Sequence, residues 1–314
     1  MFFYEKMEYD IKGKILMQTV KFPNGRKEKQ MIRLFTDTSA NLPEELIAAY
    51  NVTVLPFSYT VNGETVVYPE EKDFDGKIFY EAMRNGADIR TSMVNMTQFT
   101  EAFEPCLKAG DSVLYVGMSG GISGTAAAAK MAVEELQEAY PKADIAAIDT
   151  LGASLGEGMQ VLDAAKMIEK GEPFLKIVMK ITLGRRKMHQ FFTVDDLNYL
   201  KKGGRISSAT AFVGNILNIK PILKGNENGE IVLCGKTRGF RKALDALAEK
   251  YEEMADDKKA PVGIAHADSE EGLYYLEDKL RSVGFDGELI PVMYEPVTGS
   301  HVGPGTVALF FYGD

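Results

Sequence analysis

Apolar and polar positions fall into short solid runs separated by longer stripes of helical period. Residues 32–36, 52–56, 112–116 and 144–149 are apolar runs of strand length. Between them lie a helix start at Pro43 followed by Glu44 and Glu45, an amphipathic stripe over 73–85, a helix capped by Asn95 and running to Leu107, and an alanine-rich stripe over 126–140. Residues 57–70 predict a hairpin turning at Asn62-Gly63, a dipeptide suited to left-handed turn positions. Two more helices are expected over 155–170, with Gly156 and Gly158 closely packed, and over 173–182. Strands alternating with helices at this spacing predict an α/β fold, a mainly parallel sheet with helices on both faces.

The pattern changes near Met188. Strands are expected over 189–194, 262–266, 288–293 and 306–312, and over 220–223 and 231–234 around an Asn228-Gly229 turn. Helices are expected over 195–200, 209–217, 240–254 and 269–282, and residues 298–304 read as a glycine-rich loop. The division is therefore an N-terminal extension (1–30), read as flexible, an N-terminal three-layer α/β domain (31–187) and a C-terminal α/β domain with a mixed sheet (188–314). The extension carries an alternating stretch over 15–20 and a hairpin signal at Asn24-Gly25; Met31 is the alternative natural beginning.

A length of 314 residues suffices for two domains. The net charge of −9 argues against a nucleic-acid partner, which needs a basic face. Cys106 and Cys234 lie too far apart for a zinc knuckle and fit a reducing cytoplasm. No apolar run reaches membrane-spanning length. With only His189, His266 and His301, a histidine-built metal site has little material, and neither metal nor cofactor is expected.

The stretch richest in candidate chemistry is the turn at 117–125, between the run at 112–116 and the alanine-rich helix. Free N–H groups at a helix start favour an anion, and Ser119, Ser123 and Thr125 add hydroxyls. The turn, Gly124 included, is expected to hold a carboxylate. It lacks the lysine of a phosphate loop, and Gly121-Ile122-Ser123-Gly124 misses the nucleophile-elbow spacing by one residue. Asp195-Asp196 is either a metal pair or, the stronger reading, a helix cap. Thr91-Ser92, on a loop between two helices, is either ordinary capping or a functional pair. Arg205, after Gly203-Gly204, is either a surface charge or an anion partner. His301, set among glycines before a buried strand, reads as a site residue; His266 reads as structural and His189 as solvated.

Several stretches together resemble the DegV family, whose characterised members bind fatty acids. They are residues 36–43 (Thr-Asp-Thr-Ser-Ala-Asn-Leu-Pro), Thr91-Ser92, 121–125 (Gly-Ile-Ser-Gly-Thr), 197–206, 217–223 and 301–306, in family order over 31–314. The resemblance implies two α/β domains with the acyl tail in a tunnel and the carboxylate near their interface, the C-terminal domain being the lipid-binding one. It implies that Thr91 and Ser123 hydrogen-bond the carboxylate, with Arg205, His301, Ser92 and Gly124 in the surrounding polar network. It further implies a non-catalytic carrier that presents a long-chain fatty acid to a separate ATP-dependent fatty acid kinase, with transient contact at a membrane surface. Residues 209–217 are either tunnel wall or plain core helix. Met93-Val94-Asn95 stand where the family usually has Gln-Pro-Ser, and four alanines follow the Ser-Gly-Thr, departures that bear on the shape of the pocket wall. Two other classes stay open: a hydrolase with Ser123 as nucleophile and His301 as base, and a lipid-responsive regulatory module without a kinase.

Overall fold

The computed structural model describes residues 3–9, 15–21, 31–69, 74–206 and 218–314. Strands β1 (Phe3–Tyr9) and β2 (Ile15–Lys21) pair antiparallel within a unit of their own, Met1–Met31. The hairpin signal at Asn24-Gly25 lies outside the described residues.

In the second unit, Ile32–Asp314, the expected apolar runs assemble into a four-stranded parallel sheet. Its order is β4 (Thr53–Leu55), β3 (Ile32–Asp37), β8 (Ser112–Gly117), β9 (Ile145–Asp149). Every residue of β8 is buried, as befits a central strand covered on both faces. Strands β5 (Phe57–Val61) and β6 (Glu64–Tyr68) form the hairpin at Asn62-Gly63, with Asn62 and Gly63 both at positive φ. A third strand, β7 (Ile89–Ser92), adds to β5 antiparallel. This corrects the loop expected for Thr91-Ser92: the four residues are extended because β5, some thirty residues earlier, supplies their hydrogen bonds.

A six-stranded mixed sheet follows the order β12 (Ile231–Arg238), β11 (Ile219–Gly225), β10 (Met188–Thr193), β15 (Val307–Tyr312), β13 (Val262–His266), β14 (Leu289–Met293). Only β13 and β14 run parallel in it.

Helices cover both sheets. They include α1 (Glu44–Ala49), α2 (Gly76–Arg84), α3 (Met96–Lys108), α4 (Thr125–Ala139), α5 (Leu155–Glu169) and α6 (Phe174–Gly184). After them come α7 (Asn198–Lys202), α8 (Phe240–Met254), α9 (Glu270–Ser282) and α10 (Pro296–Val302). Asn95 and Gln98 form a reciprocal capping box that starts α3. Helix α5 touches β3 and β8 of one sheet and β10, β13 and β15 of the other. Its Gly158 is held so close to the chain that a Cβ there would stand 2.4 Å from the Ala40 carbonyl oxygen.

Helix α10 replaces the loop expected at 298–304. Its start is set by Glu295, whose carboxyl group accepts from Val297 N at 2.5 Å and Thr298 N at 2.6 Å, with Pro296 in the first turn. Gly299 sits inside this helix because the Tyr80 hydroxyl, bonded to the Tyr294 carbonyl at 2.7 Å, occupies the space of a side chain. His189 is another correction. It is half-buried rather than solvated, in ring contact with Phe191 and Phe311. His266 ends β13 buried, its Nδ1 accepting from Ser269 N at 3.1 Å, which is a structural role. Asp196, one residue before the N-cap Leu197 of α7, accepts from Asn198 N at 2.9 Å, while Asp195 pairs with Lys220, so the two carboxylates act separately and neither is the cap itself. Residues 209–217 lie outside the described ones.

Candidate functional site

Four elements distant in sequence bring the candidate residues round one cavity of about 460 Å³. Thr91 and Ser92 come from β7, Ser123 and Gly124 from the turn after β8, Arg205 from the turn after α7, and His301 from α10. Much of the remaining wall is apolar or aromatic, including Phe57, Met118, Phe192, Leu200, Ile231, Tyr294, Val297 and Phe310.

Thr91 Oγ1 and His301 Nε2 are 3.0 Å apart and hydrogen-bonded. The ring is held from behind by Gly203: a Cβ there would stand 2.5 Å from His301 Nδ1. Burial, with the Arg205 charge beside it, pulls the His301 pKa down to about 4. The imidazole is therefore neutral near pH 7, with one nitrogen a donor and the other an acceptor. Arg205 donates from Nε to the Ile122 carbonyl at 3.1 Å and from Nη1 to the Gly203 carbonyl, so its guanidinium bridges two turns. Burial lowers its pKa, yet a guanidinium keeps its charge in this range. The cavity lining thus holds a fixed cation next to a neutral imidazole.

Ser123 Oγ lies 2.8 Å from Thr125 Oγ1 and also accepts from Thr125 N at 3.3 Å. Ser123 and His301 each have another partner, so no nucleophile–base pair is formed between them.

The turn departs from expectation in one respect. Its backbone N–H groups are largely engaged inside the protein rather than free for an anion. Met118 N donates to Asp37 Oδ2 at 3.3 Å, Gly120 N to Asp149 Oδ2 at 3.1 Å and Gly121 N to Ser119 Oγ at 3.1 Å. Ser119 N donates to the Gly152 carbonyl at 2.8 Å, and Ile122 N and Ser123 N to the Ser119 carbonyl at 3.3 and 3.1 Å. Ser119 itself is fully buried and donates to the Gly229 carbonyl at 2.9 Å. Polar contact from this segment to a guest falls chiefly to side chains such as Ser123.

Behind the turn sits a buried acid network that sequence reading missed. Asp37 accepts from Ser39 N at 2.9 Å, Ser39 Oγ at 2.5 Å, the Tyr115 hydroxyl and Met118 N. Glu157, on α5, meets Thr36 Oγ1 at 3.0 Å and Ser39 Oγ at 2.6 Å. Both acids and Ser39 are fully buried. Burial raises the pKa of both carboxyl groups, and Glu157 is lifted well above its usual range. Burial also pushes Glu295 up to about 7. The one available signal was a glutamate between two glycines on an otherwise apolar helix face, Gly156-Glu157-Gly158. Tyr294, Thr298 and Gln190 also line the cavity, and nothing local in the sequence marks them.

Among the described residues there is no cluster of His, Cys, Asp and Glu that could hold a metal, and no helix is long and apolar enough to cross a membrane.

Fold and site together define an α/β protein whose sheets enclose an apolar cavity with a local polar set of hydroxyls, an imidazole and a guanidinium. The chain belongs to the DegV family: a family model described as an uncharacterised DegV protein matches residues 31–314. A DegV domain-containing protein of Clostridium perfringens is 36% identical over 282 residues, covering 90% of this chain and 97% of its own. The crystal structure of a fatty-acid-binding DegV family protein from Streptococcus agalactiae has a TM-score of 0.81 at 32% identity, covering 91% of this chain and 99% of its own. A DegV family protein from Thermus thermophilus, also described as binding fatty acid, has a TM-score of 0.81 at 29% identity, with 91% and 100% covered.

Proposed function

We propose that this chain binds one long-chain fatty acid, tail against the apolar wall and carboxylate among Thr91, Ser123 and the Arg205–His301 pair. The observation that carries the reading is the meeting of those four side chains at one largely apolar cavity of about 460 Å³, a size within the range that holds small organic ligands. A carboxylate leaves water only where donors replace its hydration. Hydroxyls and a guanidinium are such donors. Each buried CH₂ of the tail adds about 0.8 kcal/mol, so the chain supplies most of the affinity and the head group sets the orientation. Ser92 and Gly124 complete the polar surround, and residues 31–187 and 188–314 serve as two lobes flanking the ligand.

In this reading the protein is a carrier without chemistry of its own. It hands its guest, at a transient membrane contact or in solution, to a separate ATP-dependent kinase that makes an acyl phosphate. The similarity to solved fatty-acid-binding DegV proteins supports the ligand class. Native mass spectrometry of freshly purified protein, followed by organic extraction, tests it. A fatty acid released at about one per chain is the expected result. A chain that carries none and takes up none when offered palmitate or oleate overturns the reading.

A further inference from the structure

The basic triplet Arg185-Arg186-Lys187 plays no part in the lipid cavity, although it is conspicuous in a chain of net charge −9. It stands at the end of α6, where the chain turns into β10. Lys187 has partners: it pairs with Asp314 and, at 3.7 Å, with Asp256. Arg185 is fixed in place by a 2.6 Å bond from Nη1 to the Asp149 carbonyl, and no carboxylate among the described residues pairs with its charge. Among the described residues Arg186 reaches only Glu227, at 3.9 Å, with both side chains largely exposed, a contact worth little.

These two arginines line a separate cavity of about 310 Å³. Lys224 of β11 and His189 of β10 line it too, so among the described residues three permanent cations face a single carboxylate, Glu227. Lys224 is exposed; His189 borders the cavity as well, but its Nε2 is buried and burial lowers its pKa, so the neutral ring adds no charge. Like charges gathered in one concavity repel one another unless an anion joins them. A phosphate group, with several acceptor oxygens and a charge near −2, answers that repulsion, and guanidinium groups match its geometry.

We propose that the cavity formed by Arg185, Arg186 and Lys224 is a second ligand site that takes a phosphate group. It backs onto the first cavity: Leu151, Gln190 and Gly225 line both. Gln190 is the fixed part of that wall, its amide accepting from Ala153 N at 3.1 Å and donating to the Leu151 carbonyl at 3.0 Å. The phosphate comes either free or as the head group of an anionic lipid. The site is independent of the fatty-acid reading, since none of its three cations lines the first cavity.

The test uses the full chain. Isothermal titration with inorganic phosphate is run beside sedimentation with phosphatidylglycerol vesicles and with phosphatidylcholine vesicles, for the natural protein, for Arg186→Gln/Lys224→Gln and for the charge-keeping Arg186→Lys/Lys224→Arg. Saturable phosphate binding, weakened about tenfold or more in the glutamine variant and kept in the charge-keeping one, is the expected result and makes the source a free phosphate. Binding confined to phosphatidylglycerol vesicles, with the same response to the variants, makes the source a lipid head group. Fatty-acid content by native mass spectrometry stays unchanged in the glutamine variant. Absence of binding in both arms overturns the proposal, and so does equal binding by the natural protein and the glutamine variant.

Discussion

Glu157 and Asp37 converge on one hydroxyl, and the number of protons available there makes a quantitative prediction. Ser39 Oγ carries a single hydrogen but lies 2.5 Å from Asp37 Oδ1 and 2.6 Å from Glu157 Oε2. One of the two contacts must therefore be donated by a carboxyl group. Asp37 already accepts from Ser39 N, Tyr115 and Met118 N, whereas Glu157 has only Thr36 besides. The proton is assigned to Glu157, in line with burial raising its pKa. In the unfolded chain a glutamate ionises near pH ~4.3, so above that value unfolding releases this proton. A raised folded-state pKa gives a stability fully present below the unfolded value and lost as pH rises toward the folded one. Between those two values the loss runs at about 1.4 kcal/mol per pH unit.

Glu157→Gln keeps an acceptor for Thr36 and a donor for Ser39 but does not titrate. Its spare N–H costs about 1–2 kcal/mol at every pH. The stability of the variant minus that of the natural protein should thus climb as pH rises from ~5 toward ~7, at up to about 1.4 kcal/mol per pH unit, titrating groups remote from Glu157 cancelling in the difference. Urea unfolding followed by far-UV circular dichroism measures it, the chain having no tryptophan. A difference that stays level across those two pH units refutes the proton assignment.

Thr91→Val keeps the shape of β7 while removing the hydroxyl bonded to His301. Fatty-acid affinity measured by fluorescent-lipid displacement should fall about tenfold with the melting temperature little changed, and undiminished affinity would remove Thr91 from the proposed head-group site. Gly303→Ala should cost about 2–4 kcal/mol in denaturant unfolding, combining left-handed backbone strain with overpacking. The reason is that Gly303 sits at φ +82° with the Tyr199 ring 2.3 Å from a would-be Cβ; a loss within 0.5 kcal/mol would contradict that geometry.

What was legible in the sequence was whatever neighbouring residues decide. Asn62-Gly63 forms the expected hairpin because two adjacent residues supply both left-handed positions. The capping box at Asn95 and the long amphipathic helix at Phe240–Met254 lie where the local pattern puts them. The errors share a different cause. β7 is extended only because β5 accepts it as a partner, and its four residues carry too short a pattern to announce that. Helix α10 looked like a loop because Gly299 and Gly303 are helix breakers in isolation. Their small size is needed by Tyr80 and Tyr199, which come from elsewhere in the chain.

The candidate site was legible as a set of residue types. Hydroxyls beside glycines, an arginine after Gly203-Gly204 and a histidine between glycines all border the cavity. The state of those groups was not. Neither the neutral imidazole of His301 nor the engaged amides of the turn is written in the local sequence, since burial and remote carbonyls decide both. His189 looked solvated beside three basic residues, and only the sheet shows Phe191 and Phe311 beside its ring.

Helix α5 has a sheet on either side, and its buried Glu157 is tied to the end of β3 while its N-terminal turn packs on Gln190 of β10. It acts as a shared spine. Neither half can shed its inner face without stripping the other, so Ile32–Asp314 should melt in one transition. A guest gripped at the rim then raises the melting point of strands it never touches.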